Sequence, residues 1–165
     1  MNKLFPLSLF FLFVCTYASA QNNLPAAYEI TNDTTTYTKL PDRYWQMLED
    51  REGKLSFDEV SRSPIAEKFH FNQVKNPQFI HSIDAYWFRY VLKNTMAHST
   101  KIYLSGSGGH QDFYFVAANG NLTHEVNGWL TPWSKQDGLK GIGVITVELK
   151  PSEQLVVHLK ASNCL

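Results

Sequence analysis

The stretch DAYWFRYVLKN, residues 84–94, decides the fold class. Side chains of a β-strand alternate between the two faces of its sheet, so this stretch has one wholly apolar face and one mixed face. The apolar face consists of Tyr86, Phe88, Tyr90 and Leu92. The mixed face consists of Trp87, Arg89, Val91 and Lys93. The apolar face must pack against a second layer, whereas the mixed face tolerates water or a polar ligand. The stretch is therefore predicted to be a central strand of a two-layer β structure.

Composition and charge are those of an ordinary globular domain with an aromatic bias. Hydrophobic residues make up 44% and aromatic residues 14% of the chain, and 15 basic residues balance 15 acidic ones. Nucleic-acid binding depends on a clustered positive surface, whereas the basic residues here are scattered among acids. The sequence therefore predicts no nucleic-acid partner.

The first twenty residues are predicted to be an export signal. Lys3 supplies a positive start, residues 4–18 are mostly apolar, and small residues at positions 18–20 form a cleavage site. We expect cleavage after Ala20 and export to the periplasmic or extracellular face. The alternative, an uncleaved anchor helix, is disfavoured by Pro6 and by the short apolar run.

Cysteine content limits the chemistry of the mature chain. Cleavage removes Cys15 and leaves Cys164, so no intramolecular disulfide and no zinc site built from paired thiolates is expected. The remaining length suits one domain, whose stability must come from its apolar core.

Short strands separated by turn signals follow from residue 69 onward. Residues 69–71 and 101–105 are candidate strands, and the Asn119-Gly120 turn predicts a hairpin between residues 112–117 and 122–126. Residues 143–149 and 154–161 are predicted to form a last hairpin. Its inward side chains would be Ile145, Val147, Leu149, Leu155, Val157 and Leu159. Strands at this spacing predict an all-β sandwich of jelly-roll type.

One short helix is predicted earlier in the chain, in a region that also resembles a calcium-binding loop. Ser56 followed by Glu59 is a capping box, which predicts a helix near residues 57–62. The same region resembles a calcium loop, with acids at positions 50, 52 and 59 around Gly53. The first ligand position would be Leu48, which has no oxygen to offer, so we predict no metal site.

Five segments in this order resemble the type 2 extracellular domain of bacterial 7TM-DISM receptors, which are seven-helix receptors with diverse intracellular signalling modules. They are EDREGKLSFDEV (49–60), AYWFRYVLKN (85–94), the DFYFV–NG hairpin, NGWLTPWSK (127–135) and ELKPSEQLVVHLKAS (148–162). The resemblance covers residues 28–163. It implies a carbohydrate-binding-module-like jelly roll that senses an extracytoplasmic ligand, a sugar or similar small molecule, and signals to a membrane domain. The chain is thereby divided into a signal peptide (1–20), a leading arm (21–27) and a sensor domain (28–163).

The sequence departs from this family in three ways, of which one is the turn at residues 106–109, where the family has a turn richer in proline or asparagine. Gln136 stands where the family usually has an arginine, which would weaken a ligand contact that relies on arginine geometry. The chain also ends at Leu165 without a seven-helix portion. Three functions stay open: a sensor domain whose membrane signalling module is encoded beyond Leu165, a free secreted carbohydrate-binding or accessory module, and a structural domain that pairs through an edge strand.

No pattern in the sequence indicates catalysis or a cofactor. The six histidines do not occur in the spacing of a metal helix or of a nucleophile and its base, and no Gly-x-Ser-x-Gly elbow or phosphate loop occurs. His110 and Asp112 could approach each other, but we interpret that stretch as a surface turn. The chain is predicted not to be an enzyme.

Aromatic residues motivate a binding function instead. Sugars stack their C–H faces on indoles, while planar polar side chains take their hydroxyl groups. The predicted ligand-binding residues are Trp87 and Arg89 on the central strand, with Trp129, Trp133 and Gln136 on a long loop. The alternatives are a core role for Trp87, a structural ion pair for Arg89, and loop anchoring for Trp129 and Trp133.

Overall fold

The structure is a computed structural model that describes residues 23–33, 38–73, 85–106, 108–141 and 143–162. The predicted export signal and Cys164 lie outside these residues. The described part contains nine strands and one α-helix. They are β1 (Ala27–Ile30), β2 (Trp45–Asp50), α1 (Phe57–Val60), β3 (His70–Phe71), β4 (Ala85–Asn94), β5 (Thr100–Ser105), β6 (His110–Ala117), β7 (Leu122–Asn127), β8 (Val144–Leu149) and β9 (Gln154–Ser162).

The larger sheet has seven strands, and β4 lies inside it as predicted. Six of its strands lie in the order β3-β2-β4-β9-β6-β7, each antiparallel to its neighbours, and the seventh, β1, pairs with β4. Along one edge of β4, β2 pairs with residues 85–90 and β1 pairs in parallel with residues 91–94. Two strands therefore share that edge, one after the other.

The smaller sheet consists of β5 and β8, which pair antiparallel. This pairing corrects the predicted last hairpin: β8 lies in the smaller sheet, while β9 lies between β4 and β6 in the larger one. The turn at residues 150–153 therefore connects the two sheets. Both strands carry an apolar face, and they bury those faces by lying on opposite sides of the core.

The core fills the space between the sheets. Its buried side chains come from β4, β6, β8 and β9, and all six predicted inward residues belong to it. The members are Tyr90, Leu92, Phe113, Phe115, Ile145, Val147, Leu149, Leu155, Val157 and Leu159. The predicted all-β sandwich is therefore confirmed.

The outer face of the larger sheet is covered by residues 53–69, which we call the cover segment. It begins after β2, and the capping box starts α1: Ser56 Oγ accepts from the amide of Glu59, and the Glu59 carboxylate accepts from the amide of Ser56. The predicted short helix is thus confirmed over Phe57–Val60. Buried Val60 and Phe69 pack with Leu48 and Trp87. The mixed face of β4 is therefore closed by the protein's own chain.

Candidate functional site

Two exposed tryptophans lie close together in sequence on the loop between β7 and β8. We call residues 128–141 the tryptophan loop. Trp129 is 58% exposed and Trp133 65% exposed, and Leu130 between them is also exposed. Large apolar side chains exposed together on one loop are typical of a binding surface.

Gln136 holds this loop together from within. Its side chain is buried, with 6% exposed, and its Nε2 donates to Gly128 O at 3.0 Å and to Thr131 O at 2.7 Å. Its Oε1 accepts from the amide of Gly141 at 2.7 Å. Both amide hydrogens are therefore used, and the side chain cannot donate to a ligand without breaking the loop.

The loop is tied to the larger sheet at both ends. The amide of Leu130 donates to Gly109 O at 2.7 Å, next to the start of β6. Asp137 and Val126 exchange two hydrogen bonds, one through each backbone amide, at 2.7 and 2.9 Å. The tryptophans are thus carried by a hydrogen-bonded loop, which lowers the entropy cost of holding them in place for a partner.

The ring of Trp133 packs against Gly141 of the same loop. Gly141 has a φ of +80°, and a Cβ atom added there would lie 2.7 Å from Cζ3 of Trp133. The ring orientation therefore depends on the absence of a side chain at position 141.

A carboxylate between two imidazoles lies on the outer face of β6 and β7. Asp112 Oδ1 is 2.9 Å from His124 Nε2, and Asp112 Oδ2 is 3.3 Å from His110 Nε2. His110 Nδ1 lies 2.8 Å from Thr131 Oγ1, whose single hydrogen is used at 2.7 Å by Asn127 O. This chain of contacts joins the sheet to the tryptophan loop.

The His110 to Asp112 stretch is therefore not the surface turn that the sequence suggested. It is the first part of β6, and alternation places both side chains on the same outer face. The register of the β6–β7 hairpin then sets His124 opposite Tyr114, whose ring stacks on the imidazole at 4.3 Å. The contact between His124 and Asp112 was missed because it depends on that register.

Trp87 and Arg89 lie elsewhere, beneath the cover segment. Trp87 is 0% and Arg89 2% exposed. Two nitrogens of Arg89 donate to Gln46 Oε1, at 2.7 and 3.1 Å, and Nη2 also donates to Asn23 O. Its guanidinium lies 4.3 Å from the ring centroid of Phe69, and burial lowers its pKa to about 10. A ligand could reach either side chain only after displacement of the cover segment.

The structure therefore divides the five predicted residues into two groups. Trp129, Trp133 and Gln136 share the tryptophan loop, with Gln136 as its internal tie. Trp87 and Arg89 share the covered face of β4. The expectation of one site that combines both groups does not fit this arrangement.

The segment that resembles a calcium-binding loop forms a turn after β2. Asp50 accepts from the amides of Lys54 and Leu55, and Glu59 completes the capping box. A shallow depression of about 350 Å³ lies over this turn, but its charged side chains pair with each other in the Arg51–Glu49 and Lys54–Glu52 ion pairs. Among the described residues, no group of three or more metal-ligating side chains is arranged to hold an ion.

One protein-family model matches the sequence of this chain. The sequence model of the family described as 7TMR-DISM extracellular 2 matches residues 42–164, which is most of the chain. The chain belongs to this family. A comparison with curated proteins gave no significant match.

Membership in the 7TMR-DISM extracellular 2 family confirms the predicted resemblance. The family is an extracellular sensing domain of seven-helix receptors, so the domain functions outside the cytoplasmic membrane. Within the described residues, no helix has the length and apolar character needed to cross a membrane. The match runs from before β2 to beyond β9 and so includes both the cover segment and the tryptophan loop.

Proposed function

We propose that this 7TMR-DISM extracellular 2 domain senses a carbohydrate or similar small molecule through the tryptophan loop. The observation that carries the proposal is the pair of exposed indoles, Trp129 and Trp133, on a loop that is hydrogen-bonded throughout. An indole offers a flat apolar face on which the C–H face of a sugar ring stacks. Polar groups beside such a platform then give orientation and specificity.

The polar groups for that role are His110, Asp112 and His124. They lie on the sheet face that borders the loop, and His110 contacts the loop directly through Thr131. A carboxylate and imidazoles supply both acceptors and donors for ligand hydroxyl groups. Within this proposal Gln136, Trp87 and Arg89 do not contact the glycan, because the polar atoms of Gln136 are bonded inside the loop and Trp87 and Arg89 lie beneath the cover segment.

A glycan array with purified protein tests the proposal. The Trp129→Ala and Trp133→Ala variants are expected to weaken binding to the glycan that the parent retains, each by about fivefold, since an aromatic contact contributes about 1 kcal/mol. The control is Tyr103→Ala, which removes an aromatic side chain of similar exposure from β5, in the other sheet.

Equal binding by the parent and both tryptophan variants would contradict the proposed platform. Loss of binding in Tyr103→Ala as well would show that the response is not specific to the loop. Circular dichroism should report the same fold for all three variants, because the substituted side chains are exposed.

We further propose that the domain passes its signal to a membrane module encoded in the same gene. The family supplies the support, since its domains belong to seven-helix receptors. Reading the codons that follow Leu165 tests this part. An open frame with seven apolar segments is expected, and a stop codon directly after Leu165 would contradict it.

A further inference from the structure

Three buried polar side chains beneath the cover segment lack the partners that such groups normally have. Trp87 Nε1 has no hydrogen-bond acceptor, and neither Nδ1 nor Nε2 of His158 has any partner. Arg89 is buried and contacts two neutral oxygens, and it takes part in none of the ion pairs formed among the described residues. Buried polar groups are nearly always bonded, and buried charges are nearly always paired.

The three side chains lie within one patch of the larger sheet. His158 on β9 stands directly opposite Arg89 on β4, and Trp87 precedes Arg89 by two residues on the same face. Cross-strand partners lie about 5 Å apart and same-face neighbours along a strand about 7 Å apart. In the closed structure the rings of Phe57 and Phe69 lie over this patch, against His158 and Arg89, so a ligand reaches it only when the cover segment opens.

Among the described charged groups around the patch, Arg89 lacks an oppositely charged partner. Lys160 and Asp50 lie beside it and form an ion pair at 3.5 Å, in which both side chains are largely buried. Asp112 stands opposite Lys160 on β6 and contacts His110 and His124. These contacts leave the Arg89 guanidinium as a buried positive charge whose nearest partners, Gln46 and Asn23, are uncharged.

Trp87, Arg89 and His158 could all donate a hydrogen bond to one further acceptor. Arginine and the indole nitrogen only donate, and a neutral imidazole donates from one nitrogen. A carboxylate has two oxygens that can accept several such hydrogen bonds and forms strong pairs with arginine. We propose that this patch, formed by Trp87, Arg89 and His158, is a second binding site that takes the carboxylate group of a small organic acid.

The cover segment closes this site and is attached to the larger sheet by two hydrogen bonds from Lys160 and by apolar contacts. Lys160 Nζ donates to Gly53 O and Leu55 O, and apolar contacts of Val60, Phe69 and Phe57 complete the attachment. The segment contains α1 and a four-residue 3-10 helix, Ile65–Lys68, and none of its residues belongs to a strand. A segment that lacks strand pairing opens at a lower free energy than the whole domain. Binding then depends on the open fraction, and weakening the closed state raises the apparent affinity.

The indole N–H signals of the protein in a two-dimensional nitrogen–proton NMR spectrum provide the test, with sodium acetate as the probe and sodium chloride at equal ionic strength as the reference. Acetate is expected to move the Trp87 signal in a saturable way and to leave the Trp129 and Trp133 signals in place. A failure of the tryptophan loop to bind glycans would not affect this result, because the two sites share no residue.

Variants distinguish a binding site from a patch that has only a structural role. His158→Phe and Arg89→Met should each abolish the acetate response of the Trp87 signal, and His158→Phe alone decides if Arg89→Met fails to fold. Val60→Ala, which weakens the cover segment, should raise the apparent acetate affinity by about tenfold. Val147→Ala, an equal truncation in the smaller sheet, should leave it unchanged.

The proposal would be overturned by a Trp87 signal that does not respond to acetate, which is the result expected if water molecules fill the patch. It would also be overturned by an acetate response that persists in His158→Phe, or by equal responses to acetate and chloride.

Discussion

Arg89 Nη2 donates to Gln46 Oε1 at 2.7 Å across the β2–β4 pair, where the two residues stand directly opposite each other. Arg89 Nε donates to the same oxygen at 3.1 Å. One amide oxygen thus accepts two hydrogen bonds from a buried cation. The solvation that the guanidinium loses on folding is replaced mainly by this side chain and by Asn23 O.

Gln46→Leu should therefore destabilise the domain strongly. It leaves a buried guanidinium without its main acceptor, and we expect the free energy of unfolding to fall by about 2–4 kcal/mol. Urea denaturation followed by circular dichroism measures the change. Gln46→Glu retains an acceptor oxygen at this position, and a loss as large as that of Gln46→Leu would contradict the role assigned to the contact.

His158 should make the domain sensitive to acid. Burial, followed by the positive charge of Arg89, lowers the pKa of His158 in the folded state to about 3. An unfolded chain binds this proton below about pH 6.5, so between about pH 6.5 and 3 the unfolded state holds more protons and stability falls as the pH falls. From about pH 7 to about pH 4.5 the loss is about 2–3 kcal/mol.

Urea denaturation at both pH values checks this expectation. His158→Phe should remove the greater part of the pH dependence, because no proton then has to be excluded on folding. His70→Gln is the control, since His70 is an exposed histidine on β3 that forms no ion pair among the described residues. Parallel pH profiles for the parent and His158→Phe would contradict the assignment.

Gln136→Leu should loosen the tryptophan loop. The substitution leaves Gly128 O, Thr131 O and the amide of Gly141 without their partner, and we expect a loss of about 2–4 kcal/mol in stability. Gln154→Leu, the same change at an exposed position of β9, should cost less than about 0.5 kcal/mol. Urea titrations of both variants give the comparison, and equal stabilities would show that the buried amide does not hold the loop.

Gly141→Ala should displace the ring of Trp133. The new Cβ would meet Trp133 Cζ3 at 2.7 Å, so the indole must move, and the proposed glycan binding should weaken. Gly120→Ala is a close control, because Gly120 has a similar φ of +84° and its added Cβ meets nothing within 4 Å. Both variants carry the same backbone strain. The Trp133 indole N–H signal should therefore shift in Gly141→Ala and stay in place in Gly120→Ala.

Hairpin register explains why the contact of His124 with Asp112 could not be predicted. A two-residue loop at Asn119-Gly120 would set Glu125 opposite Tyr114 and turn His124 toward the core. The structure has a three-residue loop, closed by hydrogen bonds between Ala117 and residues 120 and 121, and this sets His124 opposite Tyr114 instead. One residue in a turn thus decides whether His124 reaches Asp112.

Sequence alone determined the features that depend on local backbone geometry. Alternation along β4, β8 and β9 identified their apolar faces, and Ser56 with Glu59 identified the start of α1, because a strand's period and a helix cap each involve residues a few positions apart. Tertiary structure decided what covers each face. The mixed face of β4 is closed by Val60 and Phe69, and β8 and β9 separate into different sheets, since both outcomes depend on contacts between segments distant in the chain. A side-chain pattern shows which face of a strand is apolar, whereas the neighbour that buries the other face is chosen by the packing of the whole domain.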